Sequence, residues 1–399
     1  MKNISVTKQL ILLLSLPLAG MIIFSAIGAW QSYQQWKILA QTESLMKFAT
    51  TVGNLAHYLQ IERGATAGFV ASKGIRFAGE LPGYRAETDR NVTLLKEGLD
   101  QIAVTVRSDT FRAHIEPIAG KLNGLKDNRD SASGFKITAP EAAAYYTGAI
   151  AALLEAVPEI AAQSSTLVAK RMQAYQMFLD AKEHAGRERA LMVPVFTADR
   201  IEPEQYRHFL DLVGAQKEHL EIFVDLATPD EKAFYDSKLS GPVKDDVEAM
   251  RKAVTNEVEV LRKVVNNKVA EAGGFGVEPT RWFAATTARI NAMKDVENLV
   301  AANILEASAG MATGARTALA LYLGFSVAGI LATVLLGLWI VKSIIAPIRG
   351  LHQTIALVQS SNDLTQRAAI SGKDEIAQAG EAFNLLMGGL QGIIRNVSE

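Results

Sequence analysis

The chain has 399 residues, with 41 basic and 42 acidic side chains, six histidines and no cysteine. The balanced charge argues against a dedicated nucleic-acid-binding protein, because such proteins draw much of their affinity from a surplus of lysine and arginine. The absence of cysteine excludes disulfides, thiolate metal sites and a cysteine nucleophile. Hydrophobic residues make up 49% of the sequence although 21% are charged, so the apolar residues should be concentrated in particular segments.

Two long apolar segments hold this excess. Residues 10–30 form the first, and residues 317–341 form an uncharged second segment. A helix of about 20 residues spans about 30 Å, which is the thickness of a bilayer's hydrocarbon core, so both segments are predicted to be transmembrane helices. The alternatives are a cleaved signal peptide for the first segment, whose apolar core would be shorter at about 7–15 residues, and a buried soluble helix for the second.

Basic residues lie at the outer ends of both apolar segments. Lys2 and Lys8 precede the first segment, and Lys342 and Arg349 follow the second. Because positive charge favours the cytoplasmic side, residues 1–9 and the chain after residue 341 are predicted to be cytoplasmic. Residues 31–316 are then predicted to form an external domain.

The region between the apolar segments is predicted to be helical. Apolar residues recur every three or four positions from Trp36 to Leu59, the period of an α-helix. Thr138 and Thr228 are each followed by glutamate three positions later, the pattern of a capping box, and two more helices should begin after Ser108 and Glu202. Breaks are predicted at residues 73–82, 127–140, 197–203, 240–242 and 272–279. The fold class is therefore all-α, with eight or so helices in one or two up-and-down bundles.

The glycine-rich stretch "AGGFGVEP" at the last break superficially resembles a phosphate-binding loop. It lacks the Gly-Lys-Ser/Thr ending and a preceding strand, so a turn between antiparallel helices is predicted instead.

Two stretches of the helical region resemble each other. "LQIERGATAGFVASKG" at residues 59–74 and "AKEHAGRERALMVPVF" at residues 181–196 each contain Glu-Arg among small residues. Arg63 and Arg189 are the notable side chains, because a guanidinium is always charged and its planar fork suits planar oxyanions. The alternative is structural, with Glu62 and Glu188 pairing with the arginines across helices.

The stretches "IERGATAGFVASKG" and "EHAGRERALM" resemble the two motifs of the nitrate- and nitrite-sensing (NIT) domain. The resemblance implies an external sensor built from two stacked up-down four-helix bundles, in which Arg63 and Arg189 line a pocket for a small oxyanion such as nitrate or nitrite. Because two guanidinium groups contribute two positive charges, Glu62 or Glu188 would be needed nearby to moderate the site. Further ligand-site candidates lie within about one turn of an arginine: Gly64, Thr66, Gly68, Gly186 and Arg187.

The segment after the second apolar run contains two short heptad patterns. Apolar residues run from Ile344 to Val358 and from Ile376 to Ile393, joined by a polar connector. With Pro347 near the first turn and Asp374-Glu375 opening the second helix, residues 342–394 closely resemble a HAMP domain. Such a module implies a parallel homodimeric four-helix coiled coil, since a single copy cannot bury its seam. Residues 395–399 are then expected to begin an output domain of a longer native protein.

No catalytic, metal-binding or cofactor-binding pattern is evident, so the chain is not expected to be an enzyme. The functional hypothesis is a chemoreceptor in a bacterial inner membrane, with a periplasmic sensor domain, cytoplasmic termini and lipid contact at both spans. A missing chemotaxis output domain would recruit cytoplasmic signalling proteins, and no nucleic-acid partner is expected. The alternatives are the receptor part of a histidine kinase or of a cyclic-dinucleotide enzyme, and a membrane-anchored helical scaffold without a ligand.

Overall fold

The computed structural model describes residues 6–105, 109–264 and 272–398, and nearly all of these residues are helical. The elements are α1 Val6–Ala71, α2 Leu81–Thr105, α3 Asp109–Leu122, α4 Leu125–Ser133, α5 Ala139–Ala162, α6 Thr166–Ala198, β1 Arg200–Ile201, α7 Pro203–Leu226, α8 Pro229–Lys238, α9 Pro242–Val264, β2 Ala272–Gly273, α10 Pro279–Ile340, a π-helical segment Val341–Ile345, α11 Ala346–Ser361 and α12 Glu375–Ser398. The predicted all-α class is confirmed.

Several helix starts agree with the sequence prediction. Thr138 and Thr228 each accept a hydrogen bond from the backbone of the glutamate three residues later, which completes a capping box. Glu202 caps α7 with Gln205 in the same way. The predicted cap at Ser108 lies outside the described residues, and α3 begins in the structure at Asp109.

The predicted break at residues 127–140 is only partly correct, because α4 continues through it to Ser133. Its sequence "LKDNRDSAS" has little apolar periodicity, and only Leu125 and Ala132 are buried. The polar side chains instead make specific contacts: Arg129 pairs with Glu62 on α1, with an Nε to Oε1 distance of 2.6 Å. Tertiary contacts stabilise this helix where intrinsic propensity is weak.

The glycine-rich stretch is not helical before α10 begins at Pro279, and it contributes a short strand. β1 and β2 pair antiparallel, with Arg200 opposite Gly273 and Ile201 opposite Ala272. The Phe275 backbone N–H donates to the Asp199 carboxylate at 2.9 Å. Gly274 and Gly276 have φ values of 79° and 65°, a left-handed conformation that glycine adopts without strain.

The described chain divides into two compact units, one comprising residues 35–313 and the other the remaining terminal segments. In the first unit the buried apolar residues form two clusters, as expected for stacked bundles. α1, α6 and α10 contribute to both clusters. The change from one cluster to the other falls between residues 59 and 65 in α1, between 185 and 192 in α6, and between 283 and 290 in α10. These three intervals contain Gln60, Arg63, Arg189 and Thr287, which the next section describes.

α1 and α10 each run from the first unit into the second. Both helices are long and apolar enough to cross a membrane. The predicted segments 10–30 and 317–341 fall mostly within them, the second running one residue past the end of α10. Gly28 packs against the Tyr322 ring, and Gly329 packs against the Met21 side chain. Small residues at such contacts let two helices approach closely, which is a common means of packing between membrane helices.

The same unit ends in the two heptad helices. The Asn384 side chain links α12 to the connector, because it accepts from the Ala368 N–H at 2.8 Å and donates to the Ala368 carbonyl at 3.0 Å. Asp374 caps α12 by accepting a hydrogen bond from the Ala377 N–H at 2.9 Å. Ile355, Leu386 and Ile393 of the predicted seam are exposed in the single chain.

Candidate anion-binding site

The candidate site lies where the two apolar clusters of residues 35–313 meet. Arg63 of α1 and Arg189 of α6 occupy this level, and neither side chain has any exposed surface. Gln60 bonds to Glu183, and Gly68 packs against Val193 further along both helices. α1 and α6 therefore run parallel at this level, and the two Glu-Arg motifs lie side by side.

Arg63 is paired with a carboxylate from the neighbouring helix. Its Nη1 donates to Glu183 Oε1 at 2.7 Å, and its Nη2 donates to Glu183 Oε2 at 3.1 Å. Nη1 also donates to the Thr147 hydroxyl on α5 at 3.0 Å. Gln60 donates to the same carboxylate at 2.9 Å. This bidentate arrangement compensates the buried charge of Arg63.

Arg189 has a different environment. Its Nη1 donates to the Thr287 hydroxyl at 2.8 Å, and its Nη2 donates to the Gln60 backbone carbonyl at 2.6 Å. Its guanidinium carbon lies 4.9 Å from the centroid of the Phe283 ring. Within the described residues, no carboxylate pairs with it, and Nε has no hydrogen-bond partner. Burial, followed by the nearby charge of Arg63, lowers the pKa of Arg189, but a guanidinium remains protonated at neutral pH.

The two motif glutamates do not pair with the motif arginines, so that sequence interpretation was wrong. Glu62 accepts from Arg129 through Nε at 2.6 Å and Nη2 at 2.9 Å, and from the Tyr146 hydroxyl at 2.7 Å. Glu188 accepts two hydrogen bonds from Arg251, the Nε bond measuring 2.7 Å. Each glutamate therefore lies on a side of its helix that faces a third helix. Glu183, which the sequence analysis did not identify, moderates the site instead.

Two of the predicted glycines make room for the arginines. A Cβ at Gly186 would lie 2.8 Å from Arg63 Nη2, and a Cβ at Gly64 would lie 3.0 Å from Arg189 Nε. Each glycine thus accommodates the arginine of the opposite helix. Gly68 has another role, because a Cβ there would clash with the Phe77 ring.

The remaining predicted residues, Thr66 and Arg187, have other neighbours. Thr66 is fully buried, and its hydroxyl lies 3.5 Å from the Tyr146 hydroxyl. Arg187 is half-buried, and its charge acts on His184, whose pKa is lowered to about 4 by burial and by His219 and then Arg187. The His184 ring lies 5.2 Å from the His219 ring, centroid to centroid.

Four polar residues of the candidate site were not predicted from the sequence: Gln60, Thr147, Glu183 and Thr287. Gln60 and Glu183 lie within one or two turns of a motif arginine, so their proximity was a usable signal. Thr147 and Thr287 come from distant helices, and nothing in their local sequence distinguishes them from other buried helix residues.

Comparisons with known proteins agree with this architecture. Residues 54–305 match the family model described as nitrate and nitrite sensing, and residues 339–392 match the HAMP domain. The nitrate regulatory protein of Klebsiella oxytoca is 28% identical over 282 residues, which are 70% of this chain and 67% of that protein. The solved structure of the NasR transcription antiterminator has a TM-score of 0.60 at 21% identity, covering 94% of this chain and 99% of that chain.

The chain belongs to the nitrate- and nitrite-sensing family, because that family model matches more than half of its residues. The predicted resemblance to the NIT and HAMP families is thereby confirmed. Together, the sensing domain and the HAMP module define a signalling sensor. The likeness to the NasR structure shows the shared fold.

Proposed function

We propose that this chain is a transmembrane receptor that binds nitrate or nitrite beside Arg189 and Arg63. The observation that supports this most directly is the fully buried charge of Arg189, which has no carboxylate partner among the described residues. Burying an uncompensated charge is costly, and a small anion would remove that cost. Glu183 compensates Arg63, so one net positive charge is left for a monoanion.

Hydrogen-bonding capacity supports the same ligand class. The Nε groups of Arg63 and Arg189 are buried, and they have no partner in the described part of the chain. Thr147 and Thr287 fix the other ends of the two guanidinium groups, which orients their remaining N–H donors. Nitrate and nitrite are planar and present oxygen acceptors in the plane, which suits donors held in a guanidinium fork.

The burial of the site suggests how binding becomes a signal. The Arg63 guanidinium is bonded to α5 and α6, and the Arg189 guanidinium is bonded to α1 and α10, so an anion enters only when these helices separate slightly. Ligand binding then selects one helix packing over another. α10 leads through the π-helical segment into α11, and we propose that the HAMP helices of a homodimer pass this change to a cytoplasmic output.

Thermal unfolding of the full chain in detergent tests the proposed ligand. Nitrate binds only the folded state, so its presence at a hundred times Kd should stabilise the protein by about 2.7 kcal/mol. For a chain of 399 residues, this corresponds to a rise in Tm of roughly 3 °C. Nitrate and nitrite should each raise Tm relative to chloride at the same ionic strength. Identical unfolding curves in all three salts would contradict the proposal.

We further propose that residues 31–316 lie in the periplasm of a bacterial cell and that both termini are cytoplasmic. The basic residues beyond the two apolar helices support this topology. Reporter fusions at residue 150 should be active outside the cytoplasm, whereas fusions at residue 360 should be active inside. A cytoplasmic signal from residue 150 would rule out a receptor that senses external ligand.

For the output we propose chemotaxis signalling through cytoplasmic partners, because HAMP modules connect membrane helices to cytoplasmic helical domains. A histidine kinase or a cyclic-dinucleotide enzyme would use the same module. A ligand-free membrane scaffold is the opposing proposal, and it predicts no response to nitrate in the unfolding experiment.

A further inference from the structure

α1 and α6 are related by an approximate two-fold symmetry that extends beyond the sequence repeat. Arg63 bonds to Thr147, and Arg189 bonds to Thr287. Arg63 Nη2 lies against Gly186, and Arg189 Nη2 bonds to the carbonyl of Gln60. Gly186 precedes Arg189 by three residues, as Gln60 precedes Arg63, so these two contacts are equivalent.

The glutamates of the two motifs obey the same symmetry. Arg129 holds Glu62 through Nε and Nη2, and Arg251 holds Glu188 through the same two nitrogens. Each side of the site is therefore built from the same parts, which are a motif arginine, a threonine from another helix and a glutamate held by an external arginine. Equivalent residues of α1 and α6 differ by 126 positions.

The symmetry is broken at one position. Glu183, six residues before Arg189, makes the bidentate pair with Arg63. The equivalent residue, six before Arg63, is His57. The symmetric counterpart of the Arg63–Glu183 pair would join Arg189 to residue 57, but the chain has an imidazole there and no carboxylate.

The environment of His57 is buried and positively charged. Its side chain is 7% exposed, and its Nδ1 has no hydrogen-bond partner among the described residues. Burial lowers the pKa of His57 most, and the charges of Lys182, Lys294 and Arg189 lower it further. Glu297 accepts hydrogen bonds from both lysines, which leaves Arg189 as the cation near His57 without a carboxylate of its own.

We infer that His57 is a specificity-determining residue of the anion site, because its neutral ring keeps Arg189 free for the ligand where symmetry would place an internal carboxylate. The inference rests on the proposed function. On the Arg63 side, Glu183 balances the charge of the guanidinium. On the Arg189 side, the ligand anion does so. The site therefore holds one monoanion for two arginines.

The decisive variant is His57→Glu in the full chain in detergent. The new carboxylate should pair with Arg189, so nitrate affinity measured by calorimetry should fall at least tenfold and the nitrate-dependent rise in Tm should disappear. The ligand-free Tm should be equal to or higher than that of the wild type. His57→Gln, which adds no charge, is the matched control and should retain a nitrate response within about threefold of the wild type, by the scale of a neutral hydrogen bond. Full nitrate binding by a folded His57→Glu protein would overturn the inference.

A second variant covers the case in which His57→Glu does not fold. Glu183→Gln keeps the side-chain shape but removes the carboxylate from Arg63, so the two sides become alike in charge. Calorimetry should then give two bound anions per chain instead of one. One anion with unchanged affinity would contradict the broken symmetry.

The two proposals fail in distinguishable ways. A wild-type protein that ignores nitrate and nitrite rejects the proposed function. In that case a double-mutant cycle between His57→Glu and Arg189→Met, measured without ligand, still tests whether residue 57 faces Arg189. Coupling between the two substitutions supports the symmetry, and strict additivity rejects it.

Discussion

Replacing Arg189 with methionine should abolish the nitrate-dependent rise in Tm while leaving the ligand-free protein at least as stable as the wild type. The guanidinium is fully buried, and its partners among the described residues are the Thr287 hydroxyl and the Gln60 carbonyl. Desolvating a charge costs several kcal/mol, which offsets hydrogen bonds of about 1.5–3 kcal/mol each. Methionine is flexible enough to fill the space beside Phe283, and it is a good helix former.

Arg63→Met is the matched control, because the two arginines occupy equivalent positions. Arg63 forms a bidentate pair with Glu183, so its removal leaves a buried carboxylate without its cation. Breaking such a pair costs about 3–5 kcal/mol, which for a chain of 399 residues lowers Tm by roughly 4–6 °C. Arg63→Met should therefore lower the ligand-free Tm, whereas Arg189→Met should leave it unchanged or raise it. Equal destabilisation by both substitutions would show that the charge of Arg189 serves the fold and not a ligand.

A loss of stability as large as that of Arg63→Met is expected for Glu297→Leu. Glu297 accepts hydrogen bonds from Lys182 and Lys294, and both Glu297 and Lys182 are completely buried. Removing the carboxylate leaves the Lys182 ammonium without a buried partner, which should cost about 3–5 kcal/mol of unfolding free energy. Lys294 is partly exposed, so it can turn toward water. Denaturant unfolding at pH 7 measures the loss.

Adding Lys182→Met to Glu297→Leu should recover most of that stability, because an apolar pair of similar volume needs no desolvation of charge. If the double variant is as unstable as Glu297→Leu alone, packing and not charge is the cause.

The pH dependence gives an independent check on this cluster. Burial lowers the pKa of Lys182 to about 8, and Glu297 opposes that shift. Loss of Glu297 should lower this pKa further, so the variant's folded state releases its proton at a lower pH than the wild type does. The folded variant then binds fewer protons than the folded wild type, and its stability deficit should shrink as pH rises toward 8. The slope is at most about 1.4 kcal/mol per pH unit.

Local sequence determined the helical elements and the motif that contains the site. The capping boxes at Thr138 and Thr228 depend on residues three positions apart, so a short window predicts them. The apolar runs and the heptads likewise follow from periodicity within one segment. The Glu-Arg repeat indicated Arg63 and Arg189, because charged residues among glycine and alanine are unusual in a helical core.

Only the tertiary structure decided how the buried charges are paired. Glu62 and Arg63 are neighbours in sequence, but they point in different directions from α1. Glu62 therefore meets Arg129 of α4, and Arg63 meets Glu183 of α6. The partners of these charges lie 67 and 120 positions away, and helix packing alone brings them within reach. The same packing leaves Arg189 without a carboxylate among the described residues, and the proposed anion site rests on this difference between two similar motifs.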